Sequence, residues 1–288
     1  MRRLLFALSF AIVSCGSPPD SKLPDPATSA TNTPPKLKLD ALDEPLPLDA
    51  RITKGKLDNG LVYYILPHKK PEKRAQVWLA VNAGSVLEDD DQRGLAHFVE
   101  HMGFNGTKRF PKHELVDFLE KSGIRFGADL NAYTSFDETV YTLQVPTDKP
   151  ELLTKSISVL RDWADGISFD PMEVEKERGV VLEEWRLGRG AGMRIFDKQA
   201  PVLFHGSRYA DRITIGKPEI IKTASRNTLI RYYKDWYRPD LMAVVAVGDF
   251  DSNDVDKQIK GEFANLPKAK KPRPRPKVTL PKHAKTLV

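Results

Sequence analysis

Two histidines and a glutamate fall within five residues in the segment His97-Phe98-Val99-Glu100-His101. On an α-helix, positions i and i+4 lie about 40° apart in projection, and position i+3 lies about 60° to the other side. His97 and His101 can then grip one metal ion, with Glu100 beside it. Two neutral imidazoles leave a zinc ion acidic enough to bring the pKa of a bound water to roughly 7, and a catalytic site keeps one coordination position open. Glu100 can reach that water as general base, whereas a third protein ligand has to come from elsewhere. An exposed helix face could carry the same residues by coincidence, so a second feature must decide between the two readings.

That feature is an acidic cluster downstream, in the segment Pro171 to Gly188. Its helix start can be read directly: Asp170 as N-cap, Pro171 in the first turn and Glu173 at the capping-box spacing. Glu177 and Glu184 are seven residues apart, nearly two turns, so they share one face within about 20°. One could complete the metal site while the other supports it from behind. Taken alone, the five glutamates of this helix could equally be a solvated face.

The elements that must position these groups follow from periodicity and turn chemistry. Ile52 to Leu66 reads as a hairpin turning at Asp58-Asn59-Gly60, and Ala75 to Ala83 as a core strand with Val77, Leu79 and Val81 on one face. A loop through Gly84 and Glu88 to Asp91 leads into the histidine helix, and Phe110-Pro111 opens another helix that ends before Gly123. Ala128 to Ser135 and Thr139 to Val145 are expected as two strands. A helix from Lys149 to about Gly166 should turn Leu152, Ile157, Leu160 and Trp163 inward. Residues 188–206 read as a loop, followed by helix 224–237, strand 241–247 and helix 252–266. Without regular βαβ alternation, the expected fold class is α+β, a layered domain with helices packed on one side of a largely antiparallel sheet.

With 40% hydrophobic and 29% charged residues, the chain has the composition of a globular domain with a real core. The formal charge of +6 is concentrated in residues 268–277, which hold six basic and no acidic side chains. This Pro-interrupted run reads as a solvated linker, and the chain lacks the aromatic-interleaved basic surface that single-stranded nucleic acid needs. At the amino terminus two arginines precede an apolar run, Leu4 to Val13, too short to span a bilayer. The run ends in Ile12-Val13-Ser14-Cys15, which is similar to a bacterial lipoprotein signal, with Cys15, the sole cysteine, as the lipidated residue. The expected organisation is a signal segment at 1–15, a Pro/Ser-rich tether at 16–49 with too few apolar residues to order, a folded domain at 50–267 and a basic tail at 268–288.

Together, His97 to His101, the downstream Glu177-Arg178-Gly179-Val180-Val181-Leu182-Glu183-Glu184-Trp185 and the intervening segment from Asp129 to Leu143 resemble the pitrilysin/insulinase family of zinc metallopeptidases, which also includes the mitochondrial processing peptidases. The inverted order His-x-x-Glu-His is the inverzincin signature. The resemblance runs from about Leu57 to Leu266. It implies a processing-peptidase-like half that binds one Zn2+ through His97, His101 and Glu184, with Glu100 as general base and Glu177 behind Glu184. Glu183 is the rival ligand. Asn131 and Ala132 match the positions where the family adds an extended peptide substrate as a strand to a sheet edge, while Tyr133 reads equally well as a core residue. The family pairs such a half with a second, so a second half, a partner chain or a homodimer is the expected partner. A non-catalytic or partner-dependent peptide-binding subunit is the alternative reading. The signal segment implies an outer-membrane lipoprotein facing the periplasm or the surface.

Overall fold

The computed structural model describes residues 47–111, 114–125 and 127–282. The signal segment, Cys15 and nearly all of the expected tether lie outside the described residues.

Six strands, β1 (Thr53–Lys56), β2 (Val62–Pro67), β3 (Arg74–Val81), β4 (Leu130–Thr134), β5 (Thr139–Pro146) and β6 (Met242–Gly248), form one sheet in the order β1-β2-β6-β3-β5-β4. Every neighbouring pair is antiparallel except β2 and β6. The last strand in sequence therefore sits in the middle of the sheet, a placement that no local pattern announces. Alternation along β3 puts Ala75, Val77, Leu79 and Val81 in the core and leaves Arg74, Gln76 and Trp78 on the opposite, exposed face. Helices accordingly cover one side.

Among the described residues eight α-helices accompany the sheet: α1 (Leu95–Met102), α2 (Glu114–Lys121), α3 (Pro150–Asp165), α4 (Pro171–Leu187), α5 (Ala191–Leu203), α6 (Pro218–Thr223), α7 (Arg226–Trp236) and α8 (Ser252–Phe263). α3 lies on β3 and β5, and α8 on β2, while α1 is wedged between α4, α7 and the β4–β5 end of the sheet. The inward residues of α3 are buried as its periodicity requires. Trp163 stacks on Tyr141 and donates its indole N–H to the Gly103 carbonyl at 2.9 Å, which pins the C-terminal end of α1. Asp170 caps α4 by accepting from the backbone N–H groups of Met172 and Glu173. Among the described residues no helix is long and apolar enough to cross a membrane.

Three expectations need correction. Residues 188–206 are not a loop, because α5 occupies Ala191–Leu203. Gly188 is the C-cap of α4 and Gly190 the N-cap of α5, so the two helices nearly adjoin. Tyr133 is not a core residue: it points away from the core, 48% exposed, with its hydroxyl on Glu138. Finally, the basic tail is not freely solvated. It runs without helix or strand to residue 282, yet Arg273 pairs with Asp89 and Asp235 and stacks on Trp236. Arg275 donates to the Asn82 carbonyl and to Asp137.

Candidate metal centre

α1 presents its polar residues on one side and buries Leu95, Ala96, Phe98, Val99 and Met102 on the other. This fixes the rotation of the helix, so His97 and His101 face α4 across a narrow gap. Their Nε2 atoms are 3.2 Å apart. Glu184 closes the triangle, with carboxylate oxygens 3.6 Å from His97 Nε2 and 3.3 Å from His101 Nε2. One donor atom from each residue lies within 4.8 Å of the others. Donors on a tetrahedral zinc ion with bonds of about 2.0–2.1 Å are roughly 3.3 Å apart, so these three residues fit three corners and leave the fourth open.

Glu177 meets His101 and not Glu184. Its Oε1 lies 2.7 Å from His101 Nδ1, and its Oε2 accepts from Asn105 Nδ2 at 2.9 Å. A carboxylate on Nδ1 holds the proton there and turns the Nε2 lone pair toward the gap, as supporting carboxylates do behind metal-bound histidines. Glu183, the rival, points elsewhere and pairs with Arg186. Glu184 itself is 49% exposed, so the centre opens to solvent on that side.

The electrostatics are those of a cation site. Burial and the neighbouring His101 push His97 down to about 4, which keeps its ring neutral. Burial also opposes charge on His101, but its hydrogen bonds to Glu177 and Glu184 prevail and raise it to about 9. The hydrogen bond from His101 holds Glu184 below the usual carboxylate range. The proton on His101 is one that a divalent cation would displace, so affinity should weaken as the pH falls.

Glu100 is buried beside the histidines, and burial raises its pKa; the Thr134 hydroxyl, donating to Oε2 at 2.6 Å, works in the other direction. Thr134 belongs to β4, the edge strand, two residues after Ala132 and on the same face. Replacing Thr134 by Val removes a donor that favours the ionised carboxylate. For the general base that the sequence leads one to expect in Glu100, which works only when ionised, the acidic limb of the kcat/KM profile should move to higher pH. A limb that stays in place or moves to lower pH would exclude this role.

A groove of about 1000 Å3 runs over the centre, lined by His97, Glu100, His101 and Glu184, by Asn131 to Thr134 on one side, and by Val180, Met193 and Phe196 on the other. Asn131 and Ala132 thus lie at the groove, and the Ala132 N–H is held by the Asn131 side chain at 2.9 Å. Sequence reasoning missed Thr134, Asn105 and the α5 side chains. The two polar residues had a usable signal, since Asn105 follows His101 by four and Thr134 follows Ala132 by two.

Comparison with known proteins gives the family. Residues 63–187 match the model of the insulinase family (peptidase family M16), and residues 223–288 match that of the peptidase M16 inactive domain. The chain is 45% identical over 215 residues to a probable zinc protease PqqL of Haemophilus influenzae, covering 75% of this chain and 23% of the relative. The crystal structure of the first half of the periplasmic protease PqqL from Escherichia coli superposes with a TM-score of 0.78 at 39% identity, over 83% of this chain and 51% of that one. The ferredoxin protease FusC, solved as an E83A mutant in complex with Arabidopsis ferredoxin, gives a TM-score of 0.73 at 30% identity, over 78% of this chain and 25% of that one. The chain spans about a quarter of the length of the curated relatives it matches. With both family models aligned in order on one fold, this chain belongs to the insulinase family, peptidase family M16.

Proposed function

We propose that the folded region is the metal-bearing half of a zinc peptidase that hydrolyses peptides or unfolded polypeptide segments. The observation that carries this reading is the convergence of His97, His101 and Glu184 next to a buried carboxylate, Glu100, at the floor of an open groove. Zinc held by the three residues would supply Lewis acidity, acidifying water and polarising a peptide carbonyl. Glu100 takes the proton of the attacking water and passes it to the departing amine. Glu177 and Asn105 keep His101 oriented throughout.

The substrate is bound in extended form along β4. An edge strand offers unpaired backbone groups, and a peptide that pairs with them gains affinity with little demand on its sequence. The bond between Ala132 N–H and the Asn131 side chain is one that an added strand would replace. Val180, Met193 and Phe196 offer apolar contact to side chains beyond the cleavage point. A second half, on the same polypeptide, on a partner chain or on a second copy, closes the groove from the exposed side of Glu184. A purely peptide-binding subunit is the weaker reading, because it has no use for a base held by its own donor, Thr134. A periplasmic relative and the apolar leader ending at Cys15 support a place in the cell envelope, with a lipid on Cys15 as anchor.

Cleavage of a quenched fluorescent peptide by the purified chain tests the reading. Activity should vanish on chelation, return with stoichiometric zinc, and increase if a separately supplied second half is added. Cleavage that survives chelation would overturn it.

A further inference from the structure

α1 spans eight residues, Leu95–Met102, so its orientation depends on how its two ends are held. The Trp163 indole holds the far end through the Gly103 carbonyl. At the near end the N-cap residue is Gly94, with φ +101°, and no side-chain cap is present. The first N–H groups of a helix lack intrahelical partners and must find acceptors elsewhere. Here the acceptor is Glu88, six residues before the cap. Its Oε1 accepts from the Gly94 N–H at 3.0 Å and from the Ala96 N–H at 2.8 Å.

Glu88 is itself rigidly held. Its side chain is fully buried, and its backbone carbonyl accepts from Arg212 Nε at 2.9 Å and from Arg208 Nη2. Arg212, also buried, reaches on to Asp90 at 2.8 Å. Ala96, one of the two residues held, directly precedes His97. We propose that Glu88 is a positioning residue of the metal centre, fixing the first turn of α1 so that His97 Nε2 meets His101 and Glu184. The inference rests on the zinc reading above and adds a residue that neither ligand spacing nor the helix itself identifies. Burial pushes the Glu88 carboxyl up to about 8, against the pull of the two backbone donors and of Arg212. Charged or neutral, Oε1 remains an acceptor, so the role does not require the charge.

Glutamine should therefore replace Glu88, and alanine should not. Zinc dissociation constants of the full chain, measured by competition with a chromophoric chelator, should lie within about threefold of wild type for Glu88→Gln and be roughly 10- to 100-fold weaker for Glu88→Ala. Melting curves of the metal-free samples separate this from loss of the fold. If Glu88→Ala does not fold, Glu88→Asp takes its place: the acceptor retracts by one methylene, and affinity should fall below that of Glu88→Gln. Wild-type affinity in folded Glu88→Ala, an equal loss in Gln and Ala, or equal affinities in Gln and Asp would overturn the inference while leaving the zinc site standing. A wild-type chain that takes up no zinc would overturn both.

Discussion

Glu100→Gln should retain zinc and lose hydrolysis, by roughly a hundred- to ten-thousand-fold in kcat, the range that a positioned general base contributes. Glutamine keeps the shape of the side chain and can still accept from the Thr134 hydroxyl, so the groove is undisturbed. What it lacks is a site for the proton of the attacking water. The metal triangle does not include Glu100, and removing a negative charge from a buried position should not lower the melting temperature, since burial already disfavours that charge. Metal content, melting temperature and peptide turnover measured on one preparation would show the pattern. Hydrolysis within a few-fold of wild type would exclude Glu100 as the base.

The second large effect concerns α4. Glu184→Gln should weaken zinc binding by roughly a hundredfold or more, because it removes the one anionic donor from a set that otherwise holds two neutral imidazoles. Glu177→Gln should weaken binding by about 10- to 100-fold, the range seen when a partner behind a ligand is lost. It acts through His101: an amide cannot accept the Nδ1 proton and the Asn105 amide with the strength of a carboxylate. Glu183→Gln should leave affinity unchanged, since Glu183 faces Arg186 on the solvent side. Chelator competition on the three variants should rank Glu184 above Glu177 and both above Glu183. Zinc loss in the Glu183 variant with retention in Glu184→Gln would reassign the ligand.

Much of the centre was legible because it is local. The i, i+4 spacing of His97 and His101, and the seven-residue spacing of Glu177 and Glu184, are fixed by helical geometry once each helix is recognised. Asp170 and Pro171 marked the start of α4 to the residue. What pairs with what across the two helices was not local. Spacing left open which of the two glutamates was the ligand and the family resemblance put Glu177 behind Glu184, whereas only the packing of α1 against α4 shows that it meets His101. α5 was missed because residues 188–206 were read as a loop, although Met193 and Phe196 stand at helical spacing. Tyr133 was misjudged because an edge strand bares one face, and its register decides which residues that face carries. Glu88 escaped notice because a cap is sought at the residue adjoining the helix, and this one reaches back from a preceding turn.

Whether α1 and α4 together make one zinc site is decided by the metal content of the purified full chain. One zinc per chain is expected by plasma mass spectrometry, lost from Glu184→Gln after dialysis against a weak chelator and kept by Glu100→Gln. A wild-type chain without zinc, or one whose zinc is indifferent to Glu184, would contradict it.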